Sequence, residues 1–309
     1  MTMLRRCRSI VLMMALLGST PLFAASYSQL VVIGDSLSDT GNLYDLTASL
    51  PPIFGIPATP PPPYSNGRFS NGPVYVEYLS SSLGLGAVTP SRQGGTDYAY
   101  GGALVSAAAL GIIPSLSSQR TALFTDTGGS LDSNALYVVW GGNNDLFGLL
   151  GQSLTPQMAK PLVEGVANLL VSIVGDLVVH GAQHLLVPNI PDLGLTPAEL
   201  GNANATQYSQ WFNSQLSSGL ASIQVDITLF DTFSTLQQLA PTFAHSTSGC
   251  IGLPTGCTDY LFFDDKHPTS AAHQILAERM YAQLTAVPLP AGVWLFGSAV
   301  TLLLVRRRG

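Results

Sequence analysis

A hydroxyl becomes a useful nucleophile only when a neighbouring base removes its proton, and an imidazole steadied by a carboxylate is the usual base. The sequence offers one such hydroxyl early. Leu30 to Ile33 is a short apolar run that leads into Gly34-Asp35-Ser36-Leu37-Ser38 and then Asp39-Thr40-Gly41-Asn42. A serine where a buried strand passes into a helix stands at the sheet edge, with backbone N–H groups free to meet negative charge. Gly-Asp-Ser is also ordinary turn and cap chemistry, so its companions must decide. Three follow in order: Thr96-Asp97-Tyr98-Ala99 ahead of Gly101-Gly102-Ala103, then Gly142-Asn143-Asn144-Asp145, and finally Asp264-Asp265-Lys266-His267 ahead of Pro268. Amides, glycines and an acid–base pair are what acyl chemistry on Ser36 would need.

The elements that must position these residues alternate. Leu30 to Ile33, Leu136 to Trp140, His184 to Pro188 and Val225 to Phe230 are apolar runs of strand length, the first two followed by Gly. Between them, Pro156 to Val179 carries Met158, Leu162, Val163, Val166, Leu169, Leu170 and Ile173 at helical spacings, and Gly181 stops it. Gln207 to Ile223 and Ser270 to Leu284 read as two further helices. Strand and helix in repetition predict an α/β domain, residues 26–286, with a parallel sheet covered on both faces. Residues 51–63, with seven Pro in 13 positions, interrupt the alternation. They form a stiff loop that either walls a substrate groove or simply covers surface.

Composition bounds the rest. Only 10% of the 309 residues are charged, and all 18 acidic residues lie between Asp35 and Glu278. Six of the 12 basic residues are Arg5, Arg6, Arg8, Arg306, Arg307 and Arg308, so the body is strongly acidic and has no footprint for nucleic acid. Residues 1–25 read as a secretory signal peptide: three Arg, an apolar run from Ile10 to Leu17, then small residues to Ala25. At the far end, residues 287–309 comprise Val287-Pro288-Leu289-Pro290-Ala291, an apolar stretch to Val305 and an Arg cluster. That stretch would make a helix about 22 Å long against a hydrocarbon core of ~30 Å, short for a permanent anchor. Arg at both extremes holds both ends on the cytoplasmic side, with the body between them outside. In that oxidising setting Cys250 and Cys257 are expected to form a disulfide, two free thiols being the alternative. His180 and His184 have the spacing of a zinc-binding pair, but Gly181 replaces the Glu a metalloprotease needs, and no metal is expected.

Together the four blocks resemble the GDSL or SGNH hydrolase family, from Val31 to about Leu276. The resemblance implies a three-layer, flavodoxin-like parallel sheet with helices on both faces, and chemistry without metal or organic cofactor. It implies Ser36 as nucleophile, His267 as base and Asp264 as orienting acid, with the Ser36 N–H, the Gly102 N–H and the Asn144 amide as oxyanion hole. Gly101, Asn143 and Asp265 are the adjacent competitors, and His180, His184, His245 and His273 compete with His267 for the role of base. Asp97 departs from the family, where Asn is common, and an ionised Asp97 near an oxyanion would oppose it. Asn66-Gly67-Arg68-Phe69-Ser70-Asn71-Gly72 and Val187-Pro188-Asn189-Ile190-Pro191 look most like the branch with plant-type GDSL lipases and bacterial phospholipase or acyltransferase relatives. The tail resembles the VPLPA variant of the PEP-CTERM sorting signal, which implies an exosortase-like processing partner and a Gram-negative periplasm, surface or matrix. The expectation is an exported serine esterase or lipase acting on a lipid or acylated sugar through an acyl-serine. A polysaccharide O-deacetylase is the rival within that chemistry, and a catalytically silent matrix or adhesion protein the rival outside it. Oligomeric state is not fixed by the sequence.

Overall fold

Two all-apolar pentapeptide runs head the sheet. Leu30–Gly34 (β1) and Leu136–Trp140 (β2) are buried at every position, as suits strands covered on both sides. The computed structural model describes residues 27–286 apart from 52, 54 and 255. The expected signal peptide, residues 1–25, and the expected sorting tail, residues 287–309, lie outside the described residues. With His184–Pro188 (β3) and Asp226–Phe230 (β4), the order is β1-β2-β3-β4, all parallel. Register runs Leu30 to Leu136 and Gly34 to Trp140 across the first pair, and His184 to Asp226 across the last.

A fifth extended segment, unexpected from the sequence, lines the free side of β1. Val32 N–H donates to Thr96 O (3.0 Å), and Tyr98 N–H to Val32 O (2.8 Å). Counting that segment, the spatial order is the 2-1-3-4-5 of a doubly wound sheet, whose switch point lies between β1 and β2. Thr96 to Tyr100 carries polar Thr and Asp inside it, so no apolar run advertised it.

Alternation along the strands sends side chains to two cores. Val31, Ile33, Tyr137 and Val139 face helices Leu116–Asp126 (α3), Pro156–Val179 (α5) and Ala203–Leu220 (α6). Leu30, Val32, Leu136 and Val138 face Tyr75–Ser82 (α2) and Ser270–Thr285 (α8). Each fully buried Leu, Ile or Val contributes about 1.5–3 kcal/mol, so the alternation itself fixes which face is which. The α5 bounds match the sequence reading, and Gly181 at φ 114° ends it. Its stripe is narrower than expected: Val163, Leu170 and Ile173 are buried, whereas Met158, Leu162 and Leu169 are exposed. By length and composition α5 resembles a membrane span, but it packs its buried stripe into the first core.

The α6 helix begins at Ala203, four residues before the expected start, because Asn202 caps it through Oδ1 to Asn204 N–H (3.0 Å). Shorter helices Asn42–Ala48 (α1), Asn143–Leu150 (α4) and Thr232–Leu239 (α7) complete the layers. A small second sheet pairs His245–Gly249 (β5) with Tyr260–Phe262 (β6). The Cys250–Cys257 disulfide closes the connection between them, with Cα atoms 5.3 Å apart.

Candidate active site

Ser36 sits in the turn that ends β1. Ser38 and Asp39 N–H both donate to Asp35 O (3.1 Å each), while Asp35 Oδ1 accepts Leu37 N–H (3.0 Å). Gly34 makes the close approach possible: a Cβ there would lie 2.8 Å from Ser38 Oγ and 3.0 Å from Trp140 O. Gln119 of α3 clamps the same residue, donating to Gly34 O and accepting from Gly34 N–H at 2.9 Å each. The turn leaves Ser36 N–H without an acceptor among the described residues.

The acid and the base come from one turn after β6. Asp264 Oδ1 accepts Lys266 N–H (2.8 Å) and His267 N–H (2.6 Å), a local arrangement that the three-residue spacing dictates. Phe263 N–H to His267 O (2.7 Å) closes the turn. Asp264 Oδ2 lies 2.6 Å from His267 Nδ1, and His267 Nε2 lies 2.7 Å from Ser36 Oγ. A carboxylate only accepts, so Nδ1 carries the proton and Nε2 accepts from the serine hydroxyl. Burial alone would raise the Asp264 pKa, but the hydrogen bond and charge of His267, with the Tyr64 hydroxyl, hold it well below the ordinary carboxylate range. Asp265 is exposed and makes no such contact.

The candidate oxyanion donors separate from their neighbours. Gly102, at φ 75°, donates its N–H to nothing among the described residues, whereas Gly101 N–H is committed to Asp39 Oδ2 (2.8 Å). At the start of α4, Asn143 Nδ2 donates one hydrogen to Asp35 Oδ2 (3.0 Å), which ties it to the β1 turn. Asn144 Nδ2 donates one hydrogen to Ala103 O (3.0 Å), which ties it to the Gly102 segment and leaves a second hydrogen for a ligand. Ser36, Asn143, Asn144 and His267 line one cavity.

Asp97 is fully buried and turned away into the α1 entry. Its Oδ2 accepts Thr40 N–H (2.8 Å) and Oγ1–H (2.6 Å), and its Oδ1 accepts Ala99 N–H (2.8 Å). Burial, together with the charge of nearby Asp39, raises its pKa well above the ordinary value. The carboxyl that looked hostile to an oxyanion therefore builds the loop beside it. Burial likewise raises Asp39 to about 6 against four backbone N–H donors. The other histidines go elsewhere. His180 caps α5 through Asp176 O and stacks on Phe124, His184 meets Asp226, His245 stacks on Tyr260, and His273 is buried in α8.

One contact was not anticipated. Tyr64, just past the Pro-rich stretch, donates its hydroxyl to Asp264 Oδ2 at 2.7 Å. Nothing local in the sequence signals a bond between residues 200 positions apart.

The site cavity is open to solvent and is walled past Ser36 by residues of α7 and α8. Leu37, Trp140, Leu193, Leu236, Leu261 and Phe262 are among its walls.

Comparison with known proteins agrees with this architecture. The phosphatidylcholine-sterol acyltransferase of Aeromonas hydrophila is 32% identical over 174 residues, which cover 56% of this chain and 47% of that protein. Esterase EstA of Pseudomonas aeruginosa is 30% identical across 89% of this chain and 49% of its own length. An Arabidopsis thaliana protein, GDSL esterase/lipase APG, is 23% identical across 90% of this chain and 98% of its own. The chain thus spans about half the length of the two bacterial relatives. A catalytic mutant of Axe2, an acetylxylan esterase from Geobacillus stearothermophilus, shares the fold at TM-score 0.50 and 15% identity, covering 86% of this chain and 98% of that one. The family model described as GDSL-like Lipase/Acylhydrolase matches residues 30–280, from β1 through most of α8. With nearly the whole described body matched, the chain belongs to the GDSL-like lipase/acylhydrolase family.

Proposed function

We propose that this chain is an exported carboxylic ester hydrolase that cleaves esters of medium-length acyl chains through an acyl-Ser36 intermediate. The observation that carries the proposal is the unbroken contact from Ser36 Oγ through His267 to Asp264, at 2.7 and 2.6 Å. His267 Nε2 takes the hydroxyl proton as Oγ attacks the ester carbonyl carbon, and the carbonyl π electrons move to oxygen. Ser36 N–H, Gly102 N–H and Asn144 Nδ2 receive that charge. Collapse expels the alcohol, which leaves with the proton from His267. Water then attacks the acyl-serine with His267 again as base, releasing the carboxylic acid and restoring Ser36. Asp264 stays ionised throughout and steadies the imidazolium.

The apolar cavity beyond Ser36 favours an acyl chain over an acetyl group, because a two-carbon acyl would leave those walls unfilled. The sorting tail is what favours the O-deacetylase reading, since it would bring the body to a polysaccharide surface. The Aeromonas relative is named for acyl transfer to a sterol, so an alcohol in place of water is a further fate for the acyl-serine. Export rests on residues 1–25 and on the disulfide, with an exosortase-like enzyme acting on residues 287–309.

The test compares the native protein with Ser36→Ala on nitrophenyl esters of two to twelve carbons and on an acetylated polysaccharide, with fluorophosphonate labelling alongside. Hydrolysis and labelling that vanish together in the variant support the reading. Absence of both in the native protein leaves the silent scaffold.

A further inference from the structure

The loop between α1 and α2 brings a side chain into the charge network of the site. Tyr64 Oη shares Asp264 Oδ2 with His267 Nδ1, at 2.7 and 2.6 Å. Its ring is held edge-on by Phe69 and Phe263, with centroids 5.8 and 5.1 Å away, and Phe69 in turn lies 5.1 Å from the His267 ring. The loop itself is anchored. Ser65 N–H donates to Ser70 O (2.9 Å), Ser70 Oγ–H to Pro268 O (2.9 Å), and Arg68 clasps Glu77 of α2 with two bonds of 2.7 Å.

We propose that Tyr64 is a positioning residue that pins the Asp264 carboxylate against the imidazole and takes up part of its charge, so that the Pro-rich loop sets how strongly His267 holds a proton. The proposal rests on the reading of Ser36, His267 and Asp264 as a proton-transfer chain. A carboxylate oxygen that accepts a second donor has less negative charge to offer the first. Burial, with Asp264 and Asp265 close by, pushes the Tyr64 pKa up, so the phenol remains a donor across the working range. The other titratable groups around His267 are Asp35 from the β1 turn and His273 from α8, which feel its charge, and the exposed Asp265 and Lys266 on its own turn. Tyr64→Phe leaves all four in place and keeps the ring in its bracket.

Two readouts on the full chain test this: the pH profile of kcat/KM on a nitrophenyl ester, and the histidine NMR titration, with the His267 signal assigned by its loss in His267→Gln. Tyr64→Phe should move the acid limb and the His267 midpoint upward together by roughly half to one pH unit. Activity on the acid limb then falls about 3- to 10-fold relative to the native enzyme, with the high-pH plateau within about 3-fold of native. 3-Fluorotyrosine at position 64, a stronger donor of nearly the same shape, should move both downward. Equal loss at every pH with an unmoved midpoint would reduce Tyr64 to packing, and no change in either readout would end the proposal. A native protein with no esterase activity would sink the hydrolase reading while the NMR midpoints still judged Tyr64.

Discussion

Ala272 lines the cavity from α8 and is almost wholly buried, so Ala272→Leu adds three carbons to a wall that an acyl chain would touch. Burying one methylene is worth about 0.8 kcal/mol, or roughly a fourfold change in rate for each carbon of chain that the cavity accepts. Displacing three methylenes of substrate therefore costs about 2.4 kcal/mol, a ~60-fold loss of kcat/KM for an eight-carbon ester. A two-carbon ester does not reach the filled space and should react at nearly the native rate. The assay is kcat/KM for nitrophenyl esters of two, four, six, eight and twelve carbons, with melting temperature as a check, because overpacking can itself destabilise by about 1–3 kcal/mol. Equal losses on two- and eight-carbon esters, or an unchanged eight-carbon rate, would show that the acyl chain does not occupy this cavity. A native enzyme that prefers two-carbon esters would refute the reasoning outright.

Two further outcomes follow from the geometry. Asn144→Ala removes a proposed oxyanion donor and should lower kcat by about 10²- to 10³-fold with little effect on KM, measured by steady-state kinetics. His273 is fully buried with Nε2 unpartnered, and burial, with the charge of His267, lowers its pKa from 6.5 to about 3. Between those values the unfolded chain binds a proton that the folded one refuses. This contribution is therefore whole above pH 6.5 and is lost as pH falls towards 3, by up to about 1.4 kcal/mol per pH unit. His273→Asn should flatten the slope of urea-unfolding free energy between pH 6.5 and 4, and an unchanged slope would mean that His273 does not carry it.

Much of the frame was legible because its causes are local. Leu30 to Ile33 and Leu136 to Trp140 announce buried strands by composition alone, and α5 announces itself by period and by Gly181. Asp264 and His267 could be paired from their spacing because three residues suffice to close a turn in which one carboxylate oxygen collects two backbone N–H groups. Boundaries slipped where a single polar cap, Asn202, outweighed the apolar period. The exposure of Met158, Leu162 and Leu169 escaped because a helix can be apolar over a wider arc than its neighbours cover.

Chemistry was written in the chain's residue types, and their order along it named the family's blocks. What only the tertiary structure decided is which partner each of two neighbours takes and which distant groups meet at the cavity. Asn143 and Asn144 are the same side chain one position apart, and helix phase alone sends one to Asp35 and the other to Ala103. Asp97 is committed to the Thr40 turn, whose N–H and Oγ1–H both donate to its Oδ2. Ser36 and His267 lie 231 positions apart, and Tyr64 and Asp264 lie 200 apart. A hydrogen bond forgets sequence distance once packing has closed the loop between its partners, so such contacts leave no periodicity or spacing to read.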